Sequence, residues 1–183
     1  MYHAQSEPVT FSRDCDATIV PSGEAVTLPA GCMGFVTQAL GGSFTVYIEG
    51  NLFRIAGTDA DAIGKEPLQA PEVLPDATQE DIEALIWRQL KTCYDPEIPI
   101  NIVDLGLIYE CRLEKAGQNE RVVRVQMTLT APGCGMGEIL MEDVREKIEI
   151  IPTIARAEVE LVFDPPWNQT MMSEEARLEV GLL

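Results

Sequence analysis

The chain has 183 residues, 46% of them hydrophobic and 23% charged, which is enough for one good core, or one core beside a small module. Asp plus Glu number 30 against 13 Lys plus Arg, a formal net charge of -17. That sign argues against a nucleic-acid binder and against docking on anionic lipid, both of which need a basic footprint. It fits a protein that meets basic or neutral protein surfaces, or simple solubility.

The first residues, Met1-Tyr-His-Ala-Gln-Ser-Glu-Pro8, have neither a basic segment nor an apolar run of the kind a signal peptide carries. No apolar stretch approaches the roughly 18 residues of a membrane span. The five cysteines, at 15, 32, 93, 111 and 134, include no CxxC pair. These features predict a cytoplasmic chain with free thiols rather than a disulfide framework.

Residues 9–57 read as all-β. Phe44, Val46 and Ile48 alternate, Gly50-Asn51 reads as a hairpin turn, and Phe53 and Ile55 resume the alternation. Gly41-Gly42 marks a second turn, and Pro21-Ser-Gly23 and Pro29-Ala-Gly31 punctuate earlier strands. Four or five short strands in a small barrel or sandwich are predicted, with Cys15 and Cys32 as packing residues. Residues 58–77 carry three prolines and five acids and read as a linker, with Leu68, Val73 and Leu74 available to pin it.

Thr78 is a predicted N-cap, with Glu80 and Asp81 suited to the first turn. Ile82, Leu85, Ile86, Leu90 and Cys93 follow at helical spacing. The helix is expected to end near Tyr94, because Asp95 precedes a proline. Asp95-Pro-Glu-Ile-Pro-Ile-Asn-Ile-Val-Asp-Leu-Gly106 is extended by its prolines and holds the acids Asp95, Glu97 and Asp104. These acids read equally as a site and as loop caps. An amphipathic strand over 107–114 and a turn at Gly117-Gln-Asn119 lead into a second strand over 121–130.

The next stretch is the most informative: Thr128-Leu-Thr-Ala-Pro-Gly-Cys-Gly-Met-Gly-Glu138. A strand enters it, and a helix leaves it over 137–150, with Ile139, Leu140, Val144 and Ile148 on one stripe. Cys134 is expected at or just before the helix start, where free N–H groups and the helix dipole favour a thiolate. The plainer alternative is a small cysteine filling a turn. A third strand follows at 157–163, Asp164-Pro-Pro-Trp-Asn168 ends it, and Ser173-Glu-Glu caps a short last helix. Trp167 reads as packing or as a partner anchor, and Met171-Met172 as core.

The expected fold class is therefore α+β. A small all-β domain over 1–57 is followed by the 58–77 linker and an α-β-β-α-β-α two-layer domain over 78–183. In that domain two helices cover one face of a three-stranded mixed sheet.

The residues limit the chemistry. The only histidine is His3, so a Cys–His dyad and a closed zinc site are both short of ligands. Gly133-Cys-Gly-Met-Gly137 matches no phosphate-binding spacing. One thiolate with Thr130 and acids nearby suits a labile, open site for soft metal chemistry such as iron–sulfur, Cu(I) or Zn.

Three separated motifs carry a resemblance. They are Asp95-Pro-Glu-Ile-Pro-Ile-Asn-Ile-Val-Asp-Leu-Gly-Leu-Ile-Tyr109, the Thr130 to Cys134 segment, and Asp164-Pro-Pro-Trp167. Over residues 78–181 the chain resembles the domain shared by SufT, PaaD-like proteins and the eukaryotic cytosolic iron–sulfur targeting subunit. Its β-rich N-terminal region makes it similar to the SufT family in particular. The resemblance implies an accessory factor in iron–sulfur cluster assembly and delivery rather than an enzyme. It places the functional positions at Asp95, Glu97, Asp104, Thr130 and Cys134, with Cys134 as the ligand to a transient cluster or iron. Assembly proteins and apo-protein clients are the implied partners, and a single thiol suggests ligands shared across a homodimer or with a partner. The alternatives are a metal-free adaptor and, less favoured without a histidine, a thiol-dependent enzyme.

Overall fold

The computed structural model describes residues 6–95, 97–132 and 135–182. The chain divides into two compact units, Met1–Gln69 and Ala70–Leu183.

The first unit is one six-stranded antiparallel sheet in the order β1-β4-β5-β6-β2-β3. Its strands are β1 (Glu7–Thr10), β2 (Cys15–Val20), β3 (Ala25–Leu28), β4 (Met33–Leu40), β5 (Ser43–Ile48) and β6 (Asn51–Ile55). The strand beyond the four or five expected is β1. It is an edge strand of four residues in which Val9 alone is buried, too short to show an alternation. The β5–β6 turn falls one residue earlier than predicted. Ile48 pairs with Asn51, so Glu49 and Gly50 are the central residues, both with positive φ (47° and 93°), as a tight two-residue hairpin turn of the I′ kind demands. Phe11, Cys15, Val46 and Ile55 are buried in the core of this unit. Burial also pushes the Cys15 thiol up to about 11, consistent with a packing residue.

Residues 58–77, expected as linker, are divided between the units. Gly57–Ile63 is a 3-10 helix that buries Ala60, Ala62 and Ile63. Its acids are not simply solvated: Asp59 and Asp61 accept from the Arg13 guanidinium at 2.9 and 2.7 Å. Further on, Val73 and Ala77 pack against the core of the second unit.

The second unit opens with α1 (Gln79–Leu90), capped as expected by Thr78. The cap is a reciprocal box, with Asp81 N–H donating to the Thr78 hydroxyl and the Asp81 carboxylate accepting from Thr78 N–H. The helix stops at Leu90 rather than near Tyr94, because Thr92 N–H and Oγ1 both turn back to the Gln89 carbonyl. Then come β7 (Ile108–Lys115), β8 (Arg121–Met127), α2 (Gly137–Glu149) and β9 (Ile154–Leu161). The sheet order is β7-β8-β9, with β7–β8 antiparallel and β8–β9 parallel. This is the predicted three-stranded mixed sheet, with α2 as the crossover of the parallel pair. Strand β9 ends at Leu161, short of the expected 163, and Phe163 is exposed ahead of the two prolines. The last helix, α3 (Glu174–Glu179), is capped by the Ser173 hydroxyl, which accepts from Ala176 N–H.

Ile82, Leu90, Val123, Met127, Val144 and Ile148 lie in one buried core with Cys93. Burying apolar surface of this kind stabilises by roughly 25 cal/mol per Å². One cation lies inside: Lys147, only 2% exposed, donates to the Thr92 carbonyl at 2.7 Å and sits 3.4 Å from Asp143. It therefore ties α2 to the end of α1.

The turn from α2 into β9 holds a strained residue. Ile154 N–H bonds the Ile151 carbonyl, with Pro152 and Thr153 between, and Thr153 has φ of 80°. That position normally takes Gly or Asn, and a β-branched residue there is an outlier. Thr153→Asn, which tolerates this conformation and keeps a polar side chain for Arg121, is expected to raise stability by about 1 kcal/mol. The urea midpoint should rise with an unchanged slope; a lower midpoint would show that no strain is relieved.

Candidate functional site

Asp95 leaves α1 through a loop in which its carboxylate organises the backbone. Oδ1 accepts from Glu97 N–H (2.9 Å) and Ile98 N–H (2.8 Å), the local turn that Asp side chains favour. Oδ2 is left to accept from the Thr130 hydroxyl at 3.4 Å. The side chain thus serves as a cap with one oxygen and faces Thr130 with the other. Asp95 is 4% exposed, and burial raises its pKa, outweighing the lowering by the two N–H groups.

Thr130 is delivered by the continuation of β8. Thr128 N–H bonds the Leu107 carbonyl, which carries the chain past the end of the strand. On the other side α2 begins at Gly137, with Met136 as N-cap and no side-chain cap bond. A Cβ at Gly137 would lie 2.8 Å from Leu129 Cδ1, so glycine lets the helix start press against the end of β8. Asp95, Glu97, Thr130, Ala131 and Met136 line one small cavity of about 10 Å³, on the order of the least space that holds a water.

The structure thus brings together Asp95, Thr130 and Glu97. Cys134, the principal predicted ligand, lies outside the described residues, as does Gly133. Ala131 and Met136, which bracket it in sequence, both line the cavity. Asp104 is placed elsewhere. Its Oδ2 accepts from Asn101 Nδ2 (2.6 Å) in a turn that Asn101 Oδ1 closes on the Val103 and Asp104 N–H groups. Among the described residues, no group of three or more His, Cys, Asp or Glu is arranged to hold a metal ion. Cys93 is wholly buried, and Cys111 is half-buried with its thiol pushed up to about 11 by burial and by Glu83.

Sequence reasoning missed why the first and last motifs occur together. The closing segment clamps the 104–109 stretch. Trp167 Nε1 donates to the Leu105 carbonyl (2.7 Å), Tyr109 OH donates to the Pro165 carbonyl (2.7 Å), and Ser173 N–H donates to the Asp104 carbonyl (2.8 Å). Gly106, with φ of 74°, faces the Met171 carbonyl so closely that a Cβ would come within 2.2 Å of it. Trp167 therefore packs and hydrogen-bonds within its own unit. The signal was present in the sequence as Leu105-Gly106 and Pro165-Pro-Trp167, but their pairing spans 62 residues.

The second unit is thus a two-layer α+β domain in which a buried carboxylate, Asp95, meets the half-buried Thr130 hydroxyl. The model of the family described as iron–sulfur cluster assembly protein matches residues 83–161. The chain is 48% identical over 106 residues to the Fe-S protein maturation auxiliary factor of Porphyromonas gingivalis, covering 58% of this chain and 93% of that one. It is 41% identical over 88 residues to the Fe-S protein maturation auxiliary factor SufT of Staphylococcus aureus, covering 48% of this chain and 96% of the relative. A crystal structure of a domain of unknown function from Bacillus anthracis is 33% identical, covers 57% of this chain and 96% of its own, and superposes with a TM-score of 0.49. The chain belongs to the iron–sulfur cluster assembly family of SufT-type maturation factors. No helix among the described residues is long and apolar enough to cross a membrane.

Proposed function

We propose that this chain is an accessory factor in iron–sulfur protein maturation. It takes up iron or a cluster as cargo at Cys134 and passes it to apo-proteins. The supporting observation is the pairing of buried Asp95 with half-buried Thr130 in a cavity lined by Ala131 and Met136, the residues that bracket the cysteine segment in sequence. The relatives' names support the maturation-factor part of this reading.

Ligation by a thiol releases its proton, and the Asp95 carboxyl, whose affinity for a proton is raised by burial, lines this cavity. A single thiol from one chain holds cargo weakly enough to release it, the remaining ligands coming from a second copy or from an assembly partner. Glu97 and Thr130 complete the polar wall. Asp104 acts by holding the loop.

The test is complementation of a deletion strain in iron-poor medium, read by the activities of iron–sulfur enzymes. Cys134→Ser is expected to leave them at the deletion level. Asp95→Asn is expected to lower them about tenfold or more while the fold stays intact. Asn can still accept from Glu97 and Ile98 N–H through its oxygen and donate to Thr130 through its amide. Full activity with Cys134→Ser would refute the carrier reading and leave an adaptor.

The pH dependence of stability checks the Asp95 variant. The folded-state pKa of Asp95 is raised, so the folded state keeps a proton where the unfolded chain, near pKa 3.9, has lost it. The associated stability is full below that value and declines as pH rises through the folded pKa. Asp95→Asn should remove that decline; an unaltered pH profile would mean that Asp95 does not carry it.

A further inference from the structure

We infer that a second cavity in this unit, sharing no residue with the Asp95 pocket, is a binding site for a small amphipathic anion: a carboxylate or phosphate head on a short aliphatic body. The cavity is about 310 Å³, at the lower end of the roughly 300–1,000 Å³ usual for small-molecule sites.

Its charge is out of character for the chain. The net charge is -17, and most basic side chains, Arg13, Lys65, Arg124 and Lys147 among them, sit against carboxylates. Lys115 and Arg121 do not, although both line this cavity. Among the described residues neither forms an ion pair, and Arg121 spends Nη1 on the Thr153 hydroxyl at 2.9 Å. Glu120, on the same wall, makes no ion pair with either.

The two cations are also direct cross-strand partners, Lys115 opposite Arg121 where β7 meets β8. Like charges directly opposite one another destabilise a sheet, and an anion seated between them reverses the sign. A guanidinium and an ammonium converging from two strands suit a carboxylate or phosphate head. The facing wall is apolar, with Val73, Leu74, Ala77 and Ile82. Leu74 is 61% exposed, so an aliphatic body laid against it removes apolar surface from water. Thr153, held in its strained conformation, is turned toward the cavity with its hydroxyl on Arg121.

Isothermal titration of the full chain at low salt tests this, with octanoate and octyl phosphate as anionic probes, and octanol and inorganic phosphate as controls. Either octanoate or octyl phosphate is expected to bind saturably, one site per chain, with Kd below about 1 mM; the tighter of the two identifies the head group. Octanol and inorganic phosphate should each bind about tenfold more weakly or worse, since each lacks half of the ligand. The double variant Lys115→Gln/Arg121→Gln should lose about tenfold or more for the anionic probe, whereas Arg121→Lys, which keeps the charge, should lose less. Three results would overturn the site: no saturable binding of either amphiphile, octanol binding as tightly as octanoate, or undiminished binding by a double variant that unfolds at the same urea concentration as the parent.

Discussion

Gly106→Ala is expected to destabilise the second unit by at least about 3 kcal/mol. Two effects combine. The residue sits at φ of 74°, which costs an L side chain about 1–2 kcal/mol. The new Cβ would also meet backbone, 2.2 Å from the Met171 carbonyl oxygen, and backbone cannot rotate away as a side chain can. Relief means pulling the 164–173 segment off the 104–109 loop, with loss of the Trp167, Tyr109 and Ser173 hydrogen bonds. Gly181→Ala separates the two effects. Gly181 has the same φ of 74° with nothing within 4 Å of its Cβ position, so it carries the conformational cost alone, about 1 kcal/mol. Urea unfolding followed by far-UV circular dichroism measures both. Equal losses for the two variants would show that the close approach at Gly106 adds nothing.

Lys147→Met should cost about 3–5 kcal/mol. Met nearly preserves the volume of the lysine stem, so packing changes little. What is lost is the ammonium that donates to the Thr92 carbonyl at 2.7 Å and lies 3.4 Å from Asp143 inside the fold. The Thr92 carbonyl loses a charged donor inside the fold, and the Asp143 carboxylate loses a nearby buried cation. Arg156→Met is the matched control. Its ion pair with Glu158 is at the surface, with side chains 63% and 37% exposed, and such pairs are worth roughly 0–1 kcal/mol. If Lys147→Met behaves like Arg156→Met under urea, the buried tie between the two helices contributes no more than a surface pair.

How much of this was legible in the sequence depended on whether the signal was local. The strand before the cysteine segment, the helix after it, the Thr78 cap and the mixed sheet follow from short-range periodicity and capping chemistry, and the structure has them. Asp95 and Thr130 were named on separate motifs and meet in space. What failed to show depended on distance. The burial of Lys147 rests on Thr92, 55 residues away, whose carbonyl takes its ammonium. Asp59 and Asp61 look like linker acids until Arg13 folds back across 46 and 48 residues. A short edge strand such as Glu7–Thr10 has too few residues to display a period.

The turn at Asp95 limits how this side chain can meet a cation. With Oδ1 engaged by two backbone amides, only Oδ2 has lone pairs to offer, so chelation by both oxygens is ruled out while the loop keeps its shape. On the function proposed above, a cation meeting this side chain would be offered one oxygen only. The loop that makes the carboxylate rigid therefore also halves what it can offer a ligand.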